Sequence, residues 1–297
     1  MICTLCPRNC RAERTDEAGK GLCGAGTMPR VARAALHRWE EPCISGTRGS
    51  GTVFFSGCAL RCAFCQNEAI SHGGTGENVS VRRLADIFRE LEGQGAHNIN
   101  LVTAAHFVPQ VIEALCLYRP RVPIVYNSSG YERVETLRML DGVIDVYLPD
   151  YKYIDPAMAG LLSGAPDYPE IAWAAIKEMR RQTGPAVYDE AGMMTRGTLV
   201  RHLLLPGLVG DCMKILARIR DELPGTPVSL MGQYMPCGRA RSIPGMNRRV
   251  TRREYDRALA YMEAIGLDGY RQELAAASEA FVPDFNLEGV QESARSS

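Results

Sequence analysis

The stretch Gly51-Thr52-Val53-Phe54-Phe55-Ser56-Gly57-Cys58-Ala59-Leu60-Arg61-Cys62-Ala63-Phe64-Cys65-Gln66-Asn67 decides how the rest of the chain is read. Its short apolar run, Val53-Phe54-Phe55, is bounded by glycines and reads as a buried strand. That strand runs directly into three cysteines spaced C-x3-C-x2-C. A loop this tight can turn its sulfurs onto one concave face around a metal cluster. Iron–sulfur cubanes are held by Cys thiolates, normally four of them. With three in the local set, one iron keeps an open position for a ligand, as a catalytic metal site does. The competing readings are a zinc site completed by a distant ligand such as His72, or three cysteines that only pack.

Downstream, the apolar pattern alternates between two periods. Leu84, Ile87, Phe88 and Leu91 form a helical stripe behind Ser80, a suitable N-cap, and predict a helix over 81–91. Residues 98–103, 122–126, 143–148, 198–205 and 228–231 read as strands. Residues 108–118, 132–140, 168–182, 213–223 and 254–265 read as helices. With the strand before the cysteines, this makes six β-then-α units, which argue for a parallel sheet wrapped by right-handed crossovers. Six is short of the eight of a closed barrel, and in such folds chemistry gathers at the C-terminal ends of the strands.

Upstream lies a second cysteine group, Cys3-Thr-Leu-Cys6-Pro-Arg-Asn-Cys10 followed by Cys23, spaced C-x2-C-x3-C-x12-C. Four thiolates in two groups suit a closed structural site of zinc or of an iron–sulfur cluster, and spacing alone does not choose between them. A cysteine-rich knuckle without metal is the third reading. If metal is bound, so short a segment depends on it for folding. Residues 28–50 lead into the barrel and include His37-Arg38-Trp39-Glu40-Glu41-Pro42, where His37 reads as a ligand, a base or a structural residue. The expected organisation is a Cys-rich extension and lead-in over 1–50, a barrel with a C-terminal helix over 51–290, and a disordered tail over 291–297.

Eleven cysteines in one chain fit a reducing compartment, where they serve as metal ligands more readily than as disulfides. Cys43, Cys116, Cys212 and Cys237 lie outside both groups and read as small core residues. The 34 basic and 34 acidic residues balance and form no basic track, so nucleic acid is not an expected partner. No apolar run approaches membrane-spanning length, and cysteines stand where a secretory leader would. A cytoplasmic location is the expectation.

Cys58, Cys62, Phe64 and Cys65 fill every position of C-x3-C-x-aromatic-C, and the chain resembles the radical S-adenosylmethionine (SAM) superfamily. It is most similar to the pyruvate formate-lyase activating enzyme group, through Cys6-Pro7-Arg8, Ser56-Gly57-Cys58 and Gln66-Asn67. The resemblance implies an α/β fold, a partial (βα)6 TIM-like barrel open on one side. It implies a 4Fe–4S cluster on Cys58, Cys62 and Cys65 that passes one electron to SAM, releasing methionine and a 5′-deoxyadenosyl radical that abstracts hydrogen. The electron would come from a donor such as flavodoxin or ferredoxin. The hydrogen would come from a glycine of a glycyl-radical partner or, alternatively, from a small molecule or another protein. Outside the enzymes, a non-catalytic iron–sulfur or zinc protein is the alternative.

The resemblance also assigns strand-end residues. Thr103 and His106 stand where the superfamily often carries a Gly-Gly-Glu-like segment that binds the SAM amino group, and His106 is expected to line the site. Asn127 occupies the Asp position of the activases' Asp-Thr-Asn-Gly motif, where the acid helps to hold a monovalent cation. Asp150 and Lys152 match the activases' Asp-x-Lys. Two residues apart in an extended segment, they point the same way. Arg201 matches an arginine that contacts the SAM carboxylate, a role suited to a guanidinium fork. His202 then faces away, Phe64 packs at the cofactor, and Gln233 is available to a ribose hydroxyl.

Overall fold

The computed structural model describes residues 2–272 and 283–291. In chain order its strands begin with β1 (Arg30–His37), β2 (Ser50–Phe55), β3 (Glu77–Asn78), β4 (Ile99–Val102), β5 (Ile124–Ser128) and β6 (Val146–Pro149). They continue with β7 (Val187–Tyr188), β8 (Met194–Thr198), β9 (Val200–Leu203), β10 (Val228–Met231) and β11 (Gly269–Gln272). The helices are α1 (Pro42–Ser45), α2 (Glu68–Ser71), α3 (Val81–Gly93), α4 (Val108–Leu117) and α5 (Val134–Arg138). After them come α6 (Pro156–Ser163), α7 (Tyr168–Thr183), α8 (Val209–Glu222) and α9 (Arg252–Ala264). The disordered tail expected after residue 291 lies outside the described residues.

The parallel frame runs β2-β4-β5-β6-β8 in one sheet and β9-β10-β11 in another. Its fifth strand is shared: β8 pairs β6, the chain bends at Leu199, and β9 continues against β10. A bridge between Asp150 and Arg201, with Tyr151 N–H donating to Arg201 O at 2.8 Å, carries the sheet across that bend. Among the described residues no ladder returns from β11 to β1 or β3, so the barrel is open there. This is the partial barrel that the six-unit reading predicts.

Of the elements the sequence reading lacks, three shape the barrel most. The lead-in contains β1, antiparallel to β2, with a bulge between Val31 and Arg33 that breaks the simple alternation. A seventh parallel strand, β11, extends the sheet beyond β10. Helix α6 follows β6, with the Asp155 carboxylate accepting from Ala157 N–H and Gly164 closing it at φ +59.

Each helix buries its apolar stripe on the sheet. Ser80 caps α3, its hydroxyl accepting from Arg83 N–H, and Leu84, Ile87, Phe88 and Leu91 pack against Val53, Leu101 and Tyr126. Full burial is worth about 1.5–3 kcal/mol for each such side chain. On the other flank Leu60, Ala63 and Phe64 join the core formed with Leu162, Trp173 and Leu216, which anchors the cysteine loop to α6, α7 and α8. Helix α1 enters the barrel and packs with Val125, Val146, Leu148 and Leu199, while Asn98, just before β4, donates to Ile44 O at 2.7 Å. It fills the end at which the strands begin.

Residues 283–291 return to the barrel edge. Ala34 N–H donates to Glu288 O, and Arg83 donates to Val290 O and Gly289 O, both at 3.0 Å, while pairing with Glu90. Phe285 meets Phe54 edge-on at 5.5 Å.

Candidate active site at the cysteine loop

Strand β2 ends at Ser56-Gly57, and the chain reverses there. Gly57 has φ +89, and a Cβ on it would lie 2.6 Å from Cys23 O, so both conformation and space demand glycine. The loop is then pinned on several sides. Ala63 N–H donates to Leu162 O at 2.7 Å, Ala240 N–H to Ala63 O at 2.9 Å, and Arg8 Nε to Ala59 O at 2.8 Å.

All three sulfurs have polar neighbours. Leu60 N–H donates to Cys58 Sγ at 3.4 Å, the Ser163 hydroxyl donates to Cys62 Sγ at 3.1 Å, and Ser71 Oγ lies 3.1 Å from Cys65 Sγ. Burial pushes the Cys65 thiol up to about 11 and Cys58 higher still, and repulsion from the neighbouring Cys62 adds to both. A cationic iron core would offset that repulsion, and hydrogen bonds to sulfur tune such a cluster. The donor set therefore suits an iron–sulfur cluster.

Cys62 and Cys65 open onto a cavity of about 270 Å3, and Cys58 is not among its lining residues. Phe64 forms part of its wall, edge-on to Tyr234 at 5.7 Å and to Tyr153 at 6.4 Å. Asn127, Asp150, Lys152 and Arg201 all line the same space. Four strand-end side chains from β5, β6 and β9 are thus brought together. Gln233 also lines it, and its buried Oε1 has no hydrogen-bond partner among the described residues. An orphaned acceptor facing a cavity suits a ligand hydroxyl or amine.

The polar side chains form one network. Arg201 donates to Asp150 Oδ1 at 3.0 Å, to Glu40 Oε2 at 3.2 Å and to Asn127 Oδ1 at 2.6 Å. Lys152 pairs with the second oxygen of Asp150. Burial alone would raise the Asp150 carboxyl, but Arg201 and Lys152 outweigh it and hold the group below its ordinary range. Burial would likewise lower Lys152, and Asp150 with Cys62 reverses the sign. Asn127 also donates to Glu40 Oε1 at 3.2 Å.

Glu40 and Glu41 are the residues that strand-by-strand reading misses. The sequence marks them only as part of a polar, aromatic patch, with no period to place them. In the fold they sit between β1 and α1, and α1 draws them inside the barrel. Burial raises both carboxyls, against the opposing charge of Arg201. Neither oxygen of Glu41 has a hydrogen-bond partner among the described residues, and one lies 4.0 Å from Arg201. Glu40 places a carboxylate against Asn127, where the activase motif would have carried its own.

His106 does not line the cavity, contrary to expectation. A short 3-10 turn at Ala105–Phe107 carries it behind the loop, where Nε2 lies 2.7 Å from Ser56 O and the ring lies tilted against Phe107 with centroids 4.2 Å apart. Burial lowers it to about 4, so it is neutral at ordinary pH. His202 is also buried, with Nδ1 2.8 Å from Tyr151 O, and does not line the cavity. His37 does line it, edge-on to Phe54 at 5.9 Å, and burial lowers its pKa to about 4. Thr103 follows β4 with φ +61, a left-handed conformation that strains a β-branched residue.

Cys3, Cys6, Cys10 and Cys23 come together as a group of four around a separate small void beside Ala59. Among the described residues no helix is long and apolar enough to cross a membrane.

The family model for the radical SAM superfamily matches residues 52–213, more than half of the chain, and the chain belongs to that superfamily. An uncharacterized protein of Methanocaldococcus jannaschii is 28% identical over 277 residues, covering 90% of this chain and 75% of that one. A radical SAM methyltransferase from Sphaerobacter thermophilus shares the fold at TM-score 0.52 and 15% identity, covering 77% of this chain and 69% of its own. Native anSMEcpe, solved with bound AdoMet, matches at TM-score 0.50 and 10% identity, covering 73% and 61%. The chain spans 50% of the length of Streptococcus suis SuiB, which it matches at TM-score 0.47 and 12% identity over 77% of its own length. Membership supports a 4Fe–4S cluster and SAM as the cofactors of a radical SAM enzyme.

Proposed function

We propose that this chain cleaves SAM at a cluster held by Cys58, Cys62 and Cys65 and takes hydrogen from a glycine of a glycyl-radical partner protein. The observation that carries the SAM chemistry is a three-cysteine loop whose Cys62 and Cys65 open onto a cavity lined by Asp150, Lys152, Arg201 and an unpartnered Gln233 oxygen. When bound, the cluster supplies one electron that breaks the sulfonium C5′–S bond, giving methionine and a 5′-deoxyadenosyl radical that becomes 5′-deoxyadenosine on taking hydrogen from substrate. Asp150 would accept from the SAM ammonium, Arg201 would offer its fork to the carboxylate, and Gln233 would meet a ribose hydroxyl. Phe64 holds the loop against Tyr153 and Tyr234. The electron comes from a flavodoxin or ferredoxin, and the protein works in the cytoplasm, where its cysteines stay reduced.

The test is anaerobic reconstitution with iron, sulfide, dithionite and SAM, followed by assay for 5′-deoxyadenosine. No product above a dithionite-free control rejects SAM cleavage. Electron paramagnetic resonance of mixtures with a glycyl-radical protein then tests the target. A second reading, action on a small molecule or another protein, is favoured by Asn127: its amide is committed to Arg201 and Glu40 rather than standing as a free acid. Product without any glycyl signal would select that reading.

A further inference from the structure

We propose that Tyr153 and Ser163 form a directed hydrogen-bond chain onto Cys62 that sets the reduction potential of the cluster held by Cys58, Cys62 and Cys65. The proposal rests on the cluster part of the reading above and not on SAM cleavage. Ser163 closes α6 and is fully buried, and its hydroxyl donates to Cys62 Sγ at 3.1 Å although the two lie 101 residues apart. A serine in a helix often turns its hydroxyl back onto the backbone of that helix. This one reaches across to the cysteine loop. Tyr153 is buried as well, and its hydroxyl oxygen lies 2.9 Å from Ser163 Oγ. A hydroxyl has a single proton to give. Ser163 gives its own to the sulfur, so Tyr153 is the donor to Ser163, and the chain runs Tyr153 to Ser163 to Cys62. Each bond in such a chain polarises the next and strengthens it.

The chain is fixed at both ends. Ala63 N–H donates to Leu162 O at 2.7 Å, tying the residue after Cys62 to the residue before Ser163. Arg8 donates to Ser163 O at 3.2 Å and to Gly164 O at 2.6 Å, filling carbonyls left open at the end of α6. Tyr153 packs edge-on to Tyr168 at 5.4 Å and to Phe64 at 6.4 Å. Cys58, by contrast, accepts from a backbone amide at a longer 3.4 Å. Reduction adds one electron, and part of the added negative charge falls on the sulfurs. A hydrogen bond strengthens as its acceptor becomes more negative, so the chain favours the reduced cluster and raises its potential. Neither Tyr153 nor Ser163 lines the cavity; both are positioning residues that act through Cys62.

The test compares the full chain with Ser163→Ala, Tyr153→Phe and the double variant. Each is reconstituted anaerobically with iron and sulfide, then titrated with titanium(III) citrate under electron paramagnetic resonance. The signal followed is the one that Cys62→Ala lacks. At the parent's midpoint, Ser163→Ala should show a reduced-to-oxidised ratio about tenfold lower, a downward shift of about 59 mV for one electron. Tyr153→Phe should shift the midpoint the same way by less, and should add nothing in the Ser163→Ala background, because both act through one bond. An unchanged midpoint in Ser163→Ala, or additive shifts in the double variant, overturns the proposal. Should Ser163→Ala assemble no cluster, Tyr153→Phe decides alone: a lowered midpoint supports the chain and an unchanged one overturns it. A parent that takes up no iron and sulfide removes the cluster reading and the proposal together. An unchanged midpoint in a parent-like cluster, with the parent still forming 5′-deoxyadenosine, removes the proposal alone.

Discussion

The two cysteine groups of this chain stand on opposite sides of a single turn and face different kinds of space. Cys62 and Cys65 open onto about 270 Å3 lined by charged and amide side chains. Cys3, Cys6, Cys10 and Cys23 enclose about 10 Å3 lined mostly by alanines and arginines. The turn between them, at Gly57, is pressed against Cys23 O on one face and feeds Cys58 on the other. A three-cysteine loop with room for a ligand beside Cys62 and Cys65 suits chemistry. Four thiols around so small a void leave no room for a substrate.

The largest effect should come from breaking the open group. Cys62→Ala should reduce SAM cleavage to background, measured as 5′-deoxyadenosine after dithionite reduction. Cys6→Ala should chiefly harm folding or metal content, because Leu5 and Thr4 tie that segment to Thr136 and Arg133 through their carbonyls. Equal loss of cluster absorbance and turnover in both variants would erase the contrast.

Next in size is Asp150→Asn, which leaves Arg201 and Lys152 without their shared carboxylate. Removing one partner of a buried ion network costs about 3–5 kcal/mol, to be read from denaturant unfolding. Because the folded protein holds the Asp150 carboxyl low, its stabilisation is in place above the unfolded pKa of about 3.9 and is lost as pH falls through the lower folded value. The Asn variant should therefore lose less stability on acidification than the parent, and an unchanged acid slope would contradict the role given to this pair.

Glu132 sharpens the closed side, where its charge is felt at Cys6. Burial raises its carboxyl to about 7 even though Ser128 and Tyr126 donate to it. A raised acid is protonated in the folded chain while ionised in the unfolded one, so stability falls as pH rises from about 4.3 to about 7. Glu132→Gln should flatten that slope by a few kcal/mol across the interval, roughly 1.4 kcal/mol for each pH unit spanned. Parallel unfolding curves at about pH 5 and about pH 8 for parent and variant would decide it. The smallest effect belongs to Thr103→Gly, which relieves the left-handed conformation and should stabilise the chain by about 1 kcal/mol in thermal unfolding.

Much of the barrel was legible because its strands are short apolar runs and its helices carry stripes of period 3.6. The strand over 228–231 and the Ser80 cap appear where the residues place them. Asp150 and Lys152 were readable as a pair because extended backbone repeats every second residue. Local pattern failed where a tertiary contact decides the outcome. β1 mixes Arg30 and Arg33 with alanines, and its bulge hides the alternation. Helix α6 did carry a usable signal, Asp155-Pro156 at its start and Gly164 after its end, although it is only two turns long. His106 follows a strand at the right face, but the turn after Thr103 rotates it behind the loop. Glu40 and Glu41 reach the site only because α1 fills the barrel, a long-range event without a local mark.

The return of residues 283–291 to the barrel edge sets a timetable for biosynthesis. Pro283 is part of the cavity wall, so the pocket is assembled from positions as far apart as 62 and 283. At ribosomal rates that separation amounts to roughly ten to forty seconds. During that interval the thiols of the loop have left the ribosome while one side of their shelter has yet to be made, which is when a cluster would be easiest to deliver and air most able to spoil it.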